Sequence, residues 1–453
     1  MSLQKEWRGN CGKTDIFSGH RLQWSGQYNK EALLAAKVII LKDCYAQHAS
    51  KINSDAFTGF GKVANGLGPK VGSTTSAAEK ILAARYSPRS ILGVDQVAER
   101  ITVFIWWIAT IAAVTAAQAA AVFDIDSHPN AVGICYSVWH SLGYDNGNPP
   151  DISEIEAGHG SFSPEPNWHW WGRPDGGYYQ GGNNGVLDRH FSQISGAGID
   201  FIVIDATNLA GYGNYAPGLF TEPSDALLAE MQNQAAAGKP TPNVVFWVRT
   251  ASTDADPSAV GRFVQDRYYN NPNYANFWVT FKGKPLMLTS DTLPDQLTGR
   301  FTLRKMWGLQ GSLAQSEWSF LQDAPQNVAT TNGVPEQISV CVAKQQSYIS
   351  DKSTATSRKQ GATYAAQWAK AFQVHPQVVL LTWWNEWMAQ RQGNDANGNP
   401  QFVDEFDGEY SRDIEPQDPS QPGSHGSHYL TWTQQYISAY KANQPIPGGL
   451  TGY

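Results

Sequence analysis

Charge is scarce in this sequence. Only 16% of the 453 residues are Asp, Glu, Lys or Arg, against about 25% in an ordinary soluble domain. Four cysteines occur, Cys11, Cys44, Cys135 and Cys341, and no two stand in C-x-x-C spacing. Neither a thiolate zinc site nor a dithiol redox motif is therefore supported. Cys135 and Cys341 lie in apolar strand-like runs, where buried, inert thiols are expected. His140, His159 and His169 show no metal-ligand spacing, so no metal and no cofactor is expected. A phosphate-cradling glycine loop is missing too, which counts against nucleotide-dependent chemistry. No low-complexity block is long enough to suggest a disordered chain.

What is abundant is tryptophan, 17 residues. An indole offers a flat apolar face with one donor at its edge, which suits the C–H faces of a sugar ring as well as it suits a core. The charge that is present divides unevenly. Residues 1–100 hold 14 Lys+Arg against 8 Asp+Glu, and the rest holds 19 against 32. An acidic body excludes nucleic acid as the expected partner, because phosphate binding needs a basic face.

A long uncharged run, residues 101–123, follows Arg100. Its first half is bulky (Val103 to Ile108) and its second half alanine-rich, ending with Ala117-Gln118-Ala119. An arginine, an apolar run and a small-x-small site are the parts of a secretory signal peptide. About 20 apolar residues also suffice to span a bilayer, with the basic 1–100 segment cytoplasmic. A signal-anchor with a cytoplasmic extension competes with a chain whose functional start lies downstream of Met1, and the next methionine is Met231. A buried core helix is the remaining alternative. The first two readings make the body secreted or cell-surface, with 101–123 as a possible membrane anchor. The extension 1–100 carries turn clusters and no chemical motif.

Over residues 124–453 strand-like runs alternate with helical patterns, the signature of a parallel α/β fold. Strands are expected at Val132–Ser137, Phe201–Asp205, Val244–Val248, Pro285–Leu288, Phe301–Trp307, Ile338–Ala343 and Val378–Trp384. Leu187, Phe191 and Ile194 mark one helix, stopped by Gly196 and Gly198. Ser224 or Asp225 caps a second carrying Leu227, Leu228 and Met231. Pro257-Ser258 opens a third. Seven strands are legible, and about 320 residues fit a (β/α)8 TIM-type barrel of about 250 with long loops.

Barrel active sites lie at the C-terminal ends of the strands. There the chain delivers Trp139 and His140, then Asp205 and Asn208, then Arg249, Trp307, and finally Trp384, Asn385, Glu386 and Trp387. Aromatics, carboxylates and an amide are what a sugar-cleaving cleft requires, and glycosidic cleavage generally uses two carboxyl groups. Glu386, fenced by tryptophans after an apolar strand, is expected to be shielded from water, which favours its protonated form and general-acid work. A structural glutamate receiving backbone N–H groups is the alternative. Asp205 is either functional or paired with Arg249. Residues 402–416 are rich in charge but interleaved with Phe402, Val403, Phe406, Tyr410 and Ile414. Part of the stretch is therefore expected to pack inward, with Arg412 in a fixed ion-pair network and a site carboxylate among Asp404, Glu405, Asp413 and Glu415. The loop around Trp168, Trp170, Trp171, Tyr178 and Tyr179 is expected to supply stacking platforms.

The first strand ending in aromatics, the strand running into Asp205, and above all Asn385-Glu386-Trp387 resemble glycoside hydrolase family 99 and its family 71-like relatives. The resemblance implies a (β/α)8 barrel, glycosidase activity (endo-α-mannosidase being the best known) and a glycan substrate. It also implies a second catalytic glutamate three residues after the first, where this chain has Ala389. Asp413-Ile414-Glu415-Pro416 resembles the family's later Ile/Leu-Glu segment. The partner carboxylate has thus moved to Asp404, Glu405, Asp413 or Glu415, or the reaction differs. The expected function is a glycoside hydrolase working through Glu386, with Glu415, Asp205 and Glu405 as further catalytic candidates. A non-catalytic carbohydrate-binding barrel is the alternative.

Overall fold

The computed structural model describes residues 121–140, 150–162, 168–209, 217–309, 313–349, 353–403 and 407–453, all within the unit Arg100–Tyr453. The expected extension 1–100, the apolar run up to residue 120, and Asp404 and Glu405 lie outside the described residues. Among the described residues no helix is long and apolar enough to cross a membrane.

The strands are β1 (Phe123–Asp124), β2 (Ala131–Tyr136), β3 (Trp168–Trp170), β4 (Phe201–Ala206), β5 (Asn243–Val248), β6 (Val279–Phe281) and β7 (Lys284–Thr289). They continue with β8 (Thr302–Trp307), β9 (Trp318–Ser319), β10 (Ala329–Thr331), β11 (Val334–Cys341), β12 (Val378–Thr382), β13 (Met388–Asn394) and β14 (Pro400–Phe402). Helices α1 (Ile152–Glu156), α2 (Asn184–Gly196), α3 (Glu222–Ala236), α4 (Ala259–Val264), α5 (Asp295–Thr298), α6 (Ala362–Val374) and α7 (His428–Lys441) intervene or follow. The end of the apolar run, Phe123, is not helical but pairs in β1 with Val279 of β6.

Local chemistry explains the elements. Asn183 caps α2 by accepting the N–H groups of Gly185 and Val186 at 3.0 and 3.3 Å. Leu187, Phe191 and Ile194 form its buried stripe. The chain leaves α2 through Gly198 at φ 81°, a conformation that favours glycine. Helix α3 begins earlier than a cap at Ser224 or Asp225 allows. A wide helical turn, Pro217–Thr221, runs directly into it, so Ser224 is buried inside its first turn.

Strands β9, β8, β7, β5, β4, β2, β12 and β11 follow one another in a continuous parallel ladder among the described residues. Parallel strands need apolar residues on both faces, and alternate residues here enter two separate cores. Ile134, Ile204, Phe246 and Leu381 pack toward the helices. Cys135, Val203, Trp247 and Leu380 pack on the other face. The approach of β2 to β4 is close enough that a Cβ on Gly133 would meet the Phe201 ring at 2.3 Å.

The strand invisible in the sequence is β9, two residues long. It joins β8 by backbone pairing and β11 by side chains. Gln337 accepts the Ser319 N–H at 3.0 Å and donates to the Ser319 carbonyl at 2.8 Å, and the Ser319 and Ser339 hydroxyls are 3.0 Å apart. A second, three-stranded sheet pairs β13 with β14 and with β3, in antiparallel register Met388 to Trp170 and Gln390 to Trp168.

Gln337 is fully buried, and leaving a buried backbone group unsatisfied costs about 1–3 kcal/mol. Gln337→Leu orphans two such groups on β9. The expected loss of stability is about 2–4 kcal/mol, read from urea unfolding, and an unchanged midpoint refutes the role given to this side-chain bridge.

Candidate active site

The turn after β12 is anchored by an amide acting as a piece of strand. Asn385 accepts the Ser137 N–H at 2.9 Å, donates to the Ser137 carbonyl at 3.0 Å, and reaches the Tyr179 hydroxyl at 3.2 Å. Trp383 donates its indole N–H to the Ser137 hydroxyl at 2.9 Å. Expected in the sugar-cleaving cleft, Asn385 binds the turn to the end of β2, with its amide engaged by the Ser137 backbone and the Tyr179 hydroxyl.

A second segment docks along the same turn. The Trp383 N–H donates to the Arg412 carbonyl at 2.8 Å, Ile414 N–H to the Trp383 carbonyl at 3.0 Å, and Glu415 N–H to the Trp384 carbonyl at 2.9 Å. This explains why β12 ends at Thr382, short of the expected Trp384. The docking also delivers three charged side chains. Arg412 forms an ion pair with Glu386, donates to Gln345 Oε1 at 2.8 Å and lies 5.2 Å above the Trp383 ring. Asp413 accepts the backbone N–H of Glu386 and the indole N–H of Trp171 at 2.6 Å. Burial pushes the Asp413 carboxyl up to about 7, against the pull of Arg358, the Glu386 N–H, the Trp171 indole and Arg412.

Glu415 is sealed beneath the turn. Its carboxylate accepts from Tyr179 at 2.8 Å, the Trp387 indole at 2.6 Å, His190 Nε2 at 2.7 Å and Arg189 at 3.3 Å. Burial alone would raise its pKa. His190 together with the indole and phenol donors outweighs that and holds the carboxyl below its ordinary value.

An open cleft of about 720 Å³, solvent at its mouth included, lies over these strand ends. Four residues expected at strand ends stand in its wall: Trp139 after β2, Asp205 at the end of β4, Asn208 just beyond it, and Glu386. Glu386 is 4% and Asp205 5% exposed. Asp205 accepts the Thr207 N–H at 2.8 Å. Its expected alternative partner, Arg249, instead holds Asp254 through two bonds of 2.9 Å. Among the described residues, the wall contains these two carboxylates and no Lys, Arg or His.

Among the described residues, most of the other expected ones stand outside the wall. Glu415, Asn385, Trp384 and Trp387 form the layer behind Glu386, each 1% exposed or less. Trp170 and Trp171 are fully buried rather than presented as platforms, because β3 pairs with β13 and Trp171 stacks on Trp387 at 4.2 Å. His140 is buried between Trp170 and Tyr179. Trp307 is half-buried, edge-on to Trp247 and Phe320.

Trp168 of the expected stacking loop also stands in the wall. Other wall residues escaped the sequence reading: Gln390 and Met388 come, like Trp168, from the β3–β13 pair, Phe220 from the turn before α3, and Tyr348 from a loop, where it is 61% exposed. Cys135 and Cys341 are buried free thiols, raised by burial, Cys341 to about 12. Among the described residues no three His, Cys, Asp or Glu side chains are grouped to hold a metal ion.

No protein-family model and no curated protein matches the sequence. Solved structures do. The chain is similar to the GH99 endo-alpha-mannosidase from Bacteroides thetaiotaomicron, at 13% identity over 71% of this chain and 100% of that one, with a TM-score of 0.46. The same enzyme in complex with BIS-TRIS-propane gives 14% identity, 70% and 99% coverage, and 0.45. A glycoside hydrolase-like protein gives 12%, 70% and 96%, and 0.39.

Burial lowers His140 to about 3, below its ordinary value near 6.5. The unfolded chain therefore binds a proton between those values that the folded chain does not. The stability this contributes is complete above about pH 6.5 and is lost as the pH falls toward 3. His140→Phe is expected to flatten the fall in urea midpoint between pH 6.5 and 4. An unchanged slope shows that His140 does not carry it.

Proposed function

We propose that this chain is a glycoside hydrolase acting on a polysaccharide or glycan. In this reading the parallel ladder is a TIM-like (β/α)8 barrel closed by the Ser319–Gln337 bridge, and Glu386 and Asp205 are the two working carboxylates. The observation that carries it is the placement of both groups in the wall of one cleft at the C-terminal ends of parallel strands. The aromatic side chains of Trp139, Trp168 and Tyr348 in the same wall offer faces for sugar rings.

The partner of Glu386 suggests its share of the work. A guanidinium beside a carboxylate favours its charged form, so Glu386, ion-paired with Arg412, suits the base or nucleophile rather than the acid that its apolar setting suggested. Asp205 is then the proposed donor to the leaving oxygen. Water is the second substrate: its hydroxyl goes to the anomeric carbon, and its proton goes to Glu386 where that group is the base, or to Asp205 where Glu386 is the nucleophile and its glycosyl bond is the one broken.

One observation favours a second reading, a carbohydrate-binding barrel without turnover. The position three residues after Glu386 is Ala389, buried in β13 opposite His169, where the resemblance implies a glutamate.

A screen of α- and β-linked glycans with product analysis separates the two. On a cleaved glycan, Glu386→Gln and Asp205→Asn are each expected to lower kcat about 10²–10⁴-fold while binding persists. Turnover unchanged in either variant removes that residue from the mechanism, and wild-type affinity without cleavage establishes the second reading.

A further inference from the structure

A carboxylate in a cleft works only if its backbone is held as firmly as its side chain, and two consecutive residues divide that task at Glu386. Arg412 grips the side chain. Asp413 grips the main chain, taking the Glu386 N–H on Oδ1 and the Trp171 indole N–H on Oδ2. Asp413 is fully buried and stands outside the cleft wall, so it meets Glu386 only from behind.

We propose that Asp413 is a positioning residue for Glu386, setting the turn that presents its carboxylate to the cleft. The assignment rests on the glycosidase reading above. Three features give it weight. The Glu386 N–H sits where water is excluded and would otherwise be an orphaned donor. The second donor on Asp413 is itself fixed, because Trp171 stacks at 4.2 Å on Trp387, the residue next to Glu386. The support then extends into the fold. Arg358 donates to the Ser411 carbonyl at 3.0 Å and the Asp413 carbonyl at 3.2 Å, and its guanidinium lies over the rings of Trp171 and of Tyr429 in α7. A path of direct contacts joins helix α7 to the carboxylate in the cleft.

The donor geometry selects a side chain with two acceptor oxygens. Both oxygens face N–H donors, so Asn at this position places an amide NH2 against one of them whichever way it is turned. A misplacement of about 1 Å in a catalytic group costs about 100-fold in rate. Glu336 supplies a control, because it too is a buried carboxylate holding an indole N–H, from Trp318 at 2.6 Å, with Arg304 beside it, and it is absent from the cleft wall.

The test compares Asp413→Asn, Trp171→Phe and Glu336→Gln in the full chain on a glycan that the wild type cleaves. Asp413→Asn is expected to lower kcat about 100-fold with KM nearly unchanged, and Trp171→Phe to lower kcat less, in the same direction. Glu336→Gln is expected to lose thermal stability with kcat retained. If Asp413→Asn loses stability alone, as the Glu336 control does, the proposal is overturned. If Asp413→Asn does not fold, Trp171→Phe decides, and an unchanged kcat overturns it. If the wild type cleaves no glycan, the glycosidase reading fails by itself. The positioning role is then judged from crystal structures of wild type and Trp171→Phe, in which an unmoved Glu386 overturns it.

Discussion

A charged side chain sealed away from water must find donors or an opposite charge within reach, or it is expelled or neutralised. Much of this structure follows from meeting that demand at one place. Glu386, Arg412, Asp413 and Glu415 are all 4% exposed or less, and they are brought together by the docking of Ser411–Glu415 along Trp383–Glu386. Successive peptide groups make that contact, so the side chains arrive in fixed order. Arg412 meets a carboxylate, Asp413 meets a peptide N–H and an indole, and Glu415 meets a phenol, an imidazole, an indole and a guanidinium. Removing Arg412 breaks a buried ion pair, a change that typically costs about 3–5 kcal/mol.

The parallel ladder was legible in the sequence because burial on both faces writes itself as runs such as Phe201–Ile204 and Val244–Val248. Seven strands have that signature. The eighth, Trp318–Ser319, has none, because half of its attachment comes from the side chains of Gln337 and Ser339. Polar residues within an otherwise apolar strand were the available hint, and they read equally well as a solvated edge. Caps were less legible than stripes. Asn183 holds the start of α2, whereas the start of α3 was displaced by a helical turn that no local residue type demands.

The site divides along the same line. Trp139, Asp205, Asn208 and Glu386 were read from the strand ends, and all four line the cleft. Trp170 and Trp171 were read as exposed because a glycine-rich loop surrounds them, and their burial depends on pairing with β13, more than two hundred residues away in sequence. The charged stretch 402–416 was read as partly inward and ion-paired. Ile414 and Phe402 are indeed buried, and Arg412 also reaches Glu386, outside that stretch. Pattern reveals that a charge must be paired; only the fold reveals with what.

The abundance of tryptophan beside a shortage of charge acquires a physical reason here. Three fully buried carboxylates each accept one indole N–H: Asp413 from Trp171, Glu415 from Trp387, and Glu336 from Trp318. A carboxylate satisfied by an arginine requires a second ion to be stripped of its water, at several kcal/mol. An indole adds a donor without a further charge, here beside Arg189 at Glu415 and Arg304 at Glu336, and its ring contributes apolar surface to the same core. Stacking Trp171 against Trp387 joins two such pairs into one unit directly behind Glu386. A Phe at either position would keep the ring and lose the donor, and a Lys or Arg would keep a donor and add a charge. At these places a tryptophan is the side chain that meets both demands at once, so each carboxylate gains a donor without another ion being buried.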